Sequence, residues 1–151
     1  MNSKQINQIL NTNYQTNRTF KGCFPCDLLP KADDIKYPAS FVVNLDSHEL
    51  KGSHWIGLYI EKRNRPVIYY DSLALPMSNC IIKSFLKQFQ KTIKNLRPYQ
   101  SPLSKTCALH AICFIYYLST GLEFDQFLRK MDLINDNDLF VQKFVKFLIK
   151  N

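Results

Sequence analysis

Three short segments of this sequence carry side chains of the types that peptide-bond cleavage needs. The segments are Gly52-Ser-His54-Trp55, Tyr69-Tyr-Asp71 and Gln100-Ser-Pro-Leu-Ser-Lys-Thr-Cys107. A cysteine nucleophile needs a base, the base needs a group that orients it, and the oxyanion that develops needs hydrogen-bond donors. The segments supply a residue of suitable type for each role, so together they predict a cysteine protease.

Cys107 is the predicted nucleophile, at or just inside the N-terminus of a buried helix. Free backbone N–H groups and the helix dipole at such a place stabilise a thiolate and lower the pKa of a cysteine. Gln100, seven residues earlier, offers a side-chain amide to the oxyanion beside the backbone N–H of Cys107. A free cysteine is also a common core residue, and taken alone Cys107 is more often structural than catalytic.

His54 and Asp71 are the predicted base and the group that orients it. His54 stands at the start of one predicted strand and Asp71 ends the next. If the strands pair as a hairpin, their outer ends lie close, so Asp71 can accept a hydrogen bond from the imidazole and fix its tautomer. Gly52 and Trp55, which lie near His54 in the sequence, are predicted to bind substrate. Each residue has a common structural role when taken alone, and their joint presence favours a catalytic site.

Hydrophobic periodicity predicts the elements that must position these residues. The predicted helices run from Ser3 to about Thr12, Ser78 to Leu96, near Thr106 to Ser119, Phe124 to Lys130 and Asp138 to Lys150. The predicted strands are Phe41 to Leu45, Trp55 to Ile60 and Val67 to Tyr70, and residues 13–38 form a turn-rich stretch. This order predicts an α+β fold in which a small β-sheet packs on helices and a central buried helix carries the nucleophile. Residues 1–151 are expected to form a single cysteine protease domain.

Composition sets the broad class of protein. The 151 residues are 46% hydrophobic, which suits one domain with a sizeable core that needs no disulfides. No apolar run approaches the ~18 residues of a membrane span, and the polar first residues lack a signal-peptide core. Five cysteines without a framework spacing favour a reducing compartment over secretion. The net charge of +8 favours contact with a polyanion, and a basic surface that only aids solubility is an equal alternative.

The three segments resemble the adenovirus-type maturation proteases (adenain), including relatives encoded by virophages and Maverick/Polinton elements. The resemblance covers Phe20 to about Leu118. The spacing of Gln100-Ser-Pro102, Ser104 and Cys107 resembles the family's nucleophile motif, and the histidine and aspartate segments resemble its other two. Asn44, ten residues before His54, resembles an asparagine at the same offset in the family.

This resemblance implies the adenain and ubiquitin-like-protease type of cysteine peptidase fold, with His54, Asp71, Gln100 and Cys107 in the roles argued above. It implies an endopeptidase that cuts viral capsid and other structural precursors during virion maturation, often at motifs that contain Gly-Gly. The expected location is the virion and the interior of the infected host cell. The sequence requires no cofactor, whereas the resemblance implies DNA or a peptide as an activator, with DNA contact through the basic surface. No membrane partner is expected.

Two features depart from that family. Ala108 follows the nucleophile where the family has glycine, and its methyl group could narrow the oxyanion region. Cys80 does not align with the cysteine that tethers the activating peptide in the adenovirus enzyme, so peptide activation does not follow for this chain. Two other functions stay open: a protease specific for ubiquitin-like modifiers, which shares the same arrangement, and an inactive basic module that binds nucleic acid.

Three further features each have a structural and a functional interpretation. Cys23 and Cys26 have C-x-x-C spacing, but no second such pair follows, so incidental loop cysteines are favoured over zinc and no metal is predicted. His110, within the buried helix, is expected to be a core histidine with its hydrogen bonds satisfied. The lysines of the predicted 78–96 helix form a solvated face or, as the second choice, contact DNA.

Overall fold

A mixed five-stranded sheet organises this protein in the computed structural model, which describes residues 1–50 and 54–151. The strands are β1 (Phe20–Pro25), β2 (Ala39–Asn44), β3 (Trp55–Ile60), β4 (Val67–Tyr70) and β5 (Thr92–Lys94). They lie in the order β1-β2-β3-β4-β5, with the three central strands antiparallel and each outer strand parallel to its neighbour. The helices are α1 (Ser3–Thr12), α2 (Cys80–Leu86), α3 (Cys107–Ser119), α4 (Phe124–Asp132) and α5 (Asn137–Lys150). The predicted α+β class is confirmed.

The sheet separates two apolar cores, because successive side chains of a strand point to opposite faces. On β3, Ile56, Leu58 and Ile60 pack with α2 in one core, while Trp55 and Tyr59 pack against the core that contains α3. Gly57 lies between them, and a Cβ atom there would come within 2.5 Å of Cδ1 of Phe114 on α3. The missing side chain therefore allows α3 to cross β3 at close range.

Helix α3 is the central buried helix, as predicted. Eight of its residues are buried, and it contacts β2 and β3 on one side and α1, α4 and α5 on the others. Thr106 is its N-cap residue and Cys107 its first helical residue, which matches the predicted start. No helix among residues 1–50 and 54–151 is long and apolar enough to cross a membrane.

The predicted helix from Ser78 to Leu96 is wrong in its second half. The observed α2 ends at Leu86, two turns follow, and β5 then pairs with β4. Its N-cap is Asn79 rather than Ser78, since the Asn79 side chain accepts from two N–H groups of the first turn. Pairing along β4 satisfies backbone groups that would otherwise lie at an open sheet edge, and this tertiary gain outweighs helical periodicity.

Strand β1 was missed within the stretch predicted to be turn-rich. It pairs in parallel with β2, and the register shifts between Phe20 and Gly22. Gly22 has a φ of 141°, a backbone conformation that favours glycine. This irregularity and the terminal Pro25 hide the strand pattern in the sequence. The predicted bounds of β3 and β4 are confirmed, whereas β2 begins two residues earlier than predicted.

Candidate active site

Three elements meet where His54, Asp71 and Cys107 lie. His54 directly precedes β3, and Asp71 directly follows β4. Because β3 and β4 are antiparallel, with Gly57 paired to Tyr70, the start of β3 lies beside the end of β4. Helix α3 crosses β3 and begins with Cys107, so the three predicted residues come together at one end of the sheet.

The His54 imidazole is held by the Asp71 carboxylate. Its Nε2 lies 2.7 Å from Oδ1 of Asp71, and both side chains are nearly inaccessible to solvent. The carboxylate also accepts hydrogen bonds from the backbone N–H groups of Leu73 and Leu75, at 2.9 and 3.1 Å. Asn95 fixes the Asp71 backbone, since its side chain accepts from the Asp71 N–H and donates to the Asp71 carbonyl. Asp71 is thus locked in position from both its backbone and its side chain.

The other side of the imidazole interacts with the Cys107 thiol. Asp71 engages Nε2, which leaves Nδ1 as the ring nitrogen for the sulfur. Burial lowers the pKa of His54, but hydrogen bonds to Asp71 and Cys107 outweigh it and raise the pKa to about 9. Burial raises the pKa of Cys107, but His54 and the backbone N–H groups of Trp55 and Ala108 reverse this and bring it below its ordinary value. Both shifts favour a thiolate–imidazolium pair at neutral pH.

Gln100 is buried beside Ser72, the residue after Asp71, with its amide held in one orientation. The Ser72 hydroxyl donates to Oε1 of Gln100 at 2.6 Å, and Nε2 donates to the Ser104 carbonyl at 2.9 Å. The backbone carbonyl of Ser72 accepts from the Gln100 N–H, so Gln100 is attached to the residue that follows Asp71. The amide nitrogen carries two N–H groups, and the bond to Ser104 uses one of them.

Two supporting residues of this site, Ser72 and Asn95, were not among the residues predicted from the sequence. Ser72 directly follows the Tyr69-Tyr-Asp71 segment, so its position beside a candidate catalytic residue was a signal that could have been used. Asn95 comes from a distant part of the sequence, and nothing in its local pattern marks it. Their roles depend on contacts that only the folded chain makes.

Of the two predicted substrate-binding residues, the structure describes Trp55, and its role in binding stays a prediction. Trp55 is half-buried, packs against the core that contains α3, and pairs with Asn44 across β2 and β3. Gly52 lies outside the described residues. Ala108, the residue that departs from the glycine of the resembling family, is only 3% exposed and belongs to the core.

Cys23 and Cys26 do not form a common ligand site. Cys23 packs against the core that contains α3, whereas Cys26 is buried in the core on the other face of the sheet and donates to the Leu45 carbonyl. Within the described part of the chain, no group of three His, Cys, Asp or Glu residues is arranged to hold a metal ion.

Comparison with protein-family models adds an independent finding. Residues 43–149 of the 151 match the model of the Ulp1 protease family, C-terminal catalytic domain. The matched range contains His54, Asp71, Gln100 and Cys107, together with Ser72, Asn95 and Asp138. A search of the curated proteins found none that matches this sequence.

Proposed function

Since this chain belongs to the Ulp1 protease family and is therefore a cysteine peptidase, we propose that it is an endopeptidase that cuts viral capsid and other structural precursors during virion maturation. The observation that carries the catalytic part is the imidazole of His54, which joins Asp71 to Cys107. The viral part is supported by the resemblance of Gln100-Ser-Pro102 and its spacing from Cys107 to the adenovirus-type nucleophile motif.

The first half of the proposed reaction forms a thioester. The Cys107 thiolate attacks the carbonyl carbon of the scissile bond, and the C=O electron pair moves onto oxygen. The free N–H of the Gln100 amide and the backbone N–H of Cys107 donate to this oxyanion. The His54 imidazolium then gives its Nδ1 proton to the leaving amine, and the C–N bond breaks. Asp71 keeps the ring oriented and stabilises its positive charge throughout.

The second half hydrolyses the thioester. Neutral His54 takes a proton from water as the resulting hydroxide oxygen bonds to the acyl carbon. The same donors stabilise the second oxyanion, and its collapse breaks the C–S bond. The products are a carboxylic acid and the Cys107 thiolate paired again with the imidazolium. Apart from the peptide substrate, the reaction consumes only water.

A basic surface for DNA runs along α2 towards the start of β4 in this proposal. Lys83, Lys87 and Lys91 are exposed on α2 and on the turns that follow it. The backbone of Lys91 bonds to Val67 at the start of β4, whereas Asp71 lies at the end of that strand. DNA bound there would leave Cys107 free to react with a peptide, and it would retain the enzyme inside the virion or the infected cell with its packaged substrates.

Cleavage of precursor peptides tests the proposal directly. Peptides that span Gly-Gly sites of capsid precursors are incubated with the fully reduced wild type and with Cys107→Ala, and fragments are identified by mass spectrometry. We expect cleavage after the small-residue motif by the wild type and none by Cys107→Ala, with equal circular dichroism of the two proteins. A wild type that cuts none of these peptides would contradict the viral function.

A protease for ubiquitin-like modifiers is the second candidate, and the match to the Ulp1 family favours it. The same machinery would then cut after the C-terminal glycine pair of a folded modifier. Fusions of ubiquitin-like modifiers are therefore included in the same assay. Cleavage of these fusions without cleavage of capsid peptides would reverse the order of the two candidates. An inactive nucleic-acid-binding module would cut neither and would show an unactivated Cys107.

A further inference from the structure

The Asp138 carboxylate ties together both ends of the loop that leads from Gln100 to Cys107. Asp138 is the second residue of α5, far in sequence from this loop. Its Oδ2 accepts from the Ser101 backbone N–H at 2.9 Å, at the start of the loop. Its Oδ1 accepts from the Thr106 hydroxyl, at the end of the loop, and lies 3.0 Å from Nε2 of His110 on α3. One side chain thus connects α5, the loop and α3.

His110 extends this connection to the strand that carries the catalytic aspartate. The ring is completely buried, and Nε2 faces a carboxylate, so Nε2 carries a proton and donates it to Asp138. Nδ1 lies 3.2 Å from the hydroxyl of Tyr70, which can donate to it. Tyr70 is also buried and directly precedes Asp71. Both ring nitrogens therefore have defined partners, which makes His110 a linker between β4 and the loop.

The hydroxyl of Thr106 links Asp138 to the Gln100 amide through hydrogen bonds with Ser104. Its single proton goes to Asp138, so the neighbouring Ser104 hydroxyl, 2.9 Å away, donates to Thr106. The backbone carbonyl of Ser104 accepts from Nε2 of Gln100. The position of this carbonyl decides where the remaining N–H of the amide points. A chain of hydrogen bonds thus runs from Asp138 through Thr106 and Ser104 to Gln100.

We propose that Asp138 is a positioning residue for the oxyanion site, which it shapes through the 100–106 loop with the help of His110. This inference rests on the proposed role of Gln100 as oxyanion donor. Asp138 makes none of the contacts described for the Cys107–His54 pair. Its loss would therefore slow the formation of the tetrahedral intermediate and leave the thiolate intact. The C-terminal helix then contributes to catalysis as well as to the core.

The test compares Asp138→Asn with the matched control Asp136→Asn. Asparagine keeps the size of Asp138, but one end of its side chain becomes an N–H donor and cannot accept from both Ser101 and His110. Asp136 is exposed, lies two residues away and caps the same helix by accepting from the Leu139 N–H, a task that asparagine also performs. Both variants lose one negative charge, so a general charge effect would appear in both.

Three quantities are measured for each protein: kcat and KM on a fluorogenic peptide ending in Gly-Gly, the rate of iodoacetamide labelling of Cys107, and amide hydrogen exchange at Ser101. For Asp138→Asn we expect kcat to fall by about 10- to 100-fold, because removal of a whole oxyanion donor costs about 10²–10³ in kcat and displacement costs less. Labelling and KM should stay close to wild type, and Ser101 should exchange faster. Asp136→Asn should match the wild type in all three.

Two outcomes would overturn the inference. One is an unchanged kcat in Asp138→Asn, and the other is a loss of iodoacetamide labelling in parallel with kcat, which would mean general loosening of the site. A wild type that cleaves no Gly-Gly peptide would count against the proposed substrate class instead. In that case the amide hydrogen-exchange rate of Ser101 still tests the inference. A rate in Asp138→Asn as slow as in the wild type would show that Asp138 does not hold the loop.

Discussion

At the scale of single residues, His54 has two partners that act on it in the same direction. Both Asp71 and Cys107 favour its charged form, and their combined effect outweighs the burial that disfavours it. The same interaction favours the charged form of Cys107. The three side chains together favour a thiolate–imidazolium pair, and no one of them would do so alone.

Replacing Asp71 with asparagine tests whether the negative charge of this side chain is needed. The amide of Asp71→Asn keeps the volume, but the pKa of His54 should fall from about 9 towards its ordinary 6.5, because a charged partner is lost. The thiolate fraction at neutral pH should fall with it, and kcat/KM should drop by about 10²-fold or more. Steady-state kinetics measure this, with the exposed Asp34→Asn as the control for charge. A kcat/KM equal to that of the control would contradict the role of Asp71.

The methyl group of Ala108 should have no effect on the chemistry. The side chain is buried in the core, so Ala108→Gly should lose about 1 kcal/mol of unfolding free energy through helix propensity while kcat/KM stays the same. Ala111→Gly, at another buried position of α3, is the matched control and should show a similar loss. Urea unfolding measures the free energy of unfolding, and peptide cleavage kinetics measure kcat/KM. A clear rise of kcat/KM in Ala108→Gly alone would mean that the methyl group crowds the oxyanion region.

At the scale of elements, the contact between β3 and α3 sets the distance between His54 and Cys107. His54 precedes one element and Cys107 begins the other, and where they cross the Phe114 side chain lies over Gly57. A substitution that separates the two elements would also separate His54 from Cys107. A substitution at this contact should therefore change both the free energy of unfolding and kcat/KM.

Gly57→Ala tests this coupling. Its Cβ would meet the Phe114 ring at 2.5 Å, so overpacking should cost about 1–3 kcal/mol of unfolding free energy and lower kcat/KM. Phe114→Leu makes room for the added methyl group, so the double variant should be more stable than the sum of the two single losses predicts. The measurement is a double-mutant cycle by urea unfolding, with kcat/KM determined for the same four proteins. Strict additivity of the losses would show that the two residues are not in direct contact.

The elements also show how far sequence reasoning reaches. Helix α3 and strands β3 and β4 were predicted with nearly correct bounds, since their patterns are uninterrupted and their side chains are strongly apolar. These elements carry His54, Asp71 and Cys107, so the position of the candidate site followed from local patterns. Strands β1 and β5 were missed because they form by pairing with β2 and β4, and their own short or interrupted patterns do not indicate that pairing.

The supporting contacts were beyond local reasoning for the same reason. Asn95 acts on Asp71 from the end of β5, a strand that was predicted to be helical. Asp138 acts on the 100–106 loop from α5, a helix whose start was predicted but whose partner was not. Neither residue type is unusual at its position in the sequence. Only the packing of distant elements gives them their roles.

At the scale of the whole molecule, the lysines of α2 and its following turns extend from near the end of the sheet that carries His54 towards the start of β4. The net charge of +8 is spread over several surfaces, and the lysines of α2 and its following turns are only one of them. Helix α5 carries another set of exposed lysines, Lys143, Lys146 and Lys150. Comparing the two sets therefore separates a specific DNA surface from a general effect of charge.

Reversal of charge at Lys83, Lys87 and Lys91 to glutamate should weaken binding to a short DNA duplex more than the same reversal at the three α5 lysines. The two variants have equal net charge, so any difference reports the place of contact. Each lost phosphate contact should reduce the slope of log affinity against log salt by about 0.9. Fluorescence anisotropy over a salt series measures this, and peptide cleavage without DNA should be unchanged in both variants. Equal weakening by the two triple variants would contradict a DNA surface on α2.

The most direct test of the account is the pH dependence of iodoacetamide labelling at Cys107, in the wild type and in His54→Ala. Only the thiolate reacts, so the labelling rate follows its fraction. In the wild type the pKa of Cys107 is lowered, so labelling should stay fast as the pH falls well below the ordinary cysteine value of 9.0. His54→Ala removes the main partner that lowers this pKa, so its labelling curve should shift to higher pH. Slow labelling with an ordinary thiol pH dependence in both proteins would contradict an assembled nucleophile.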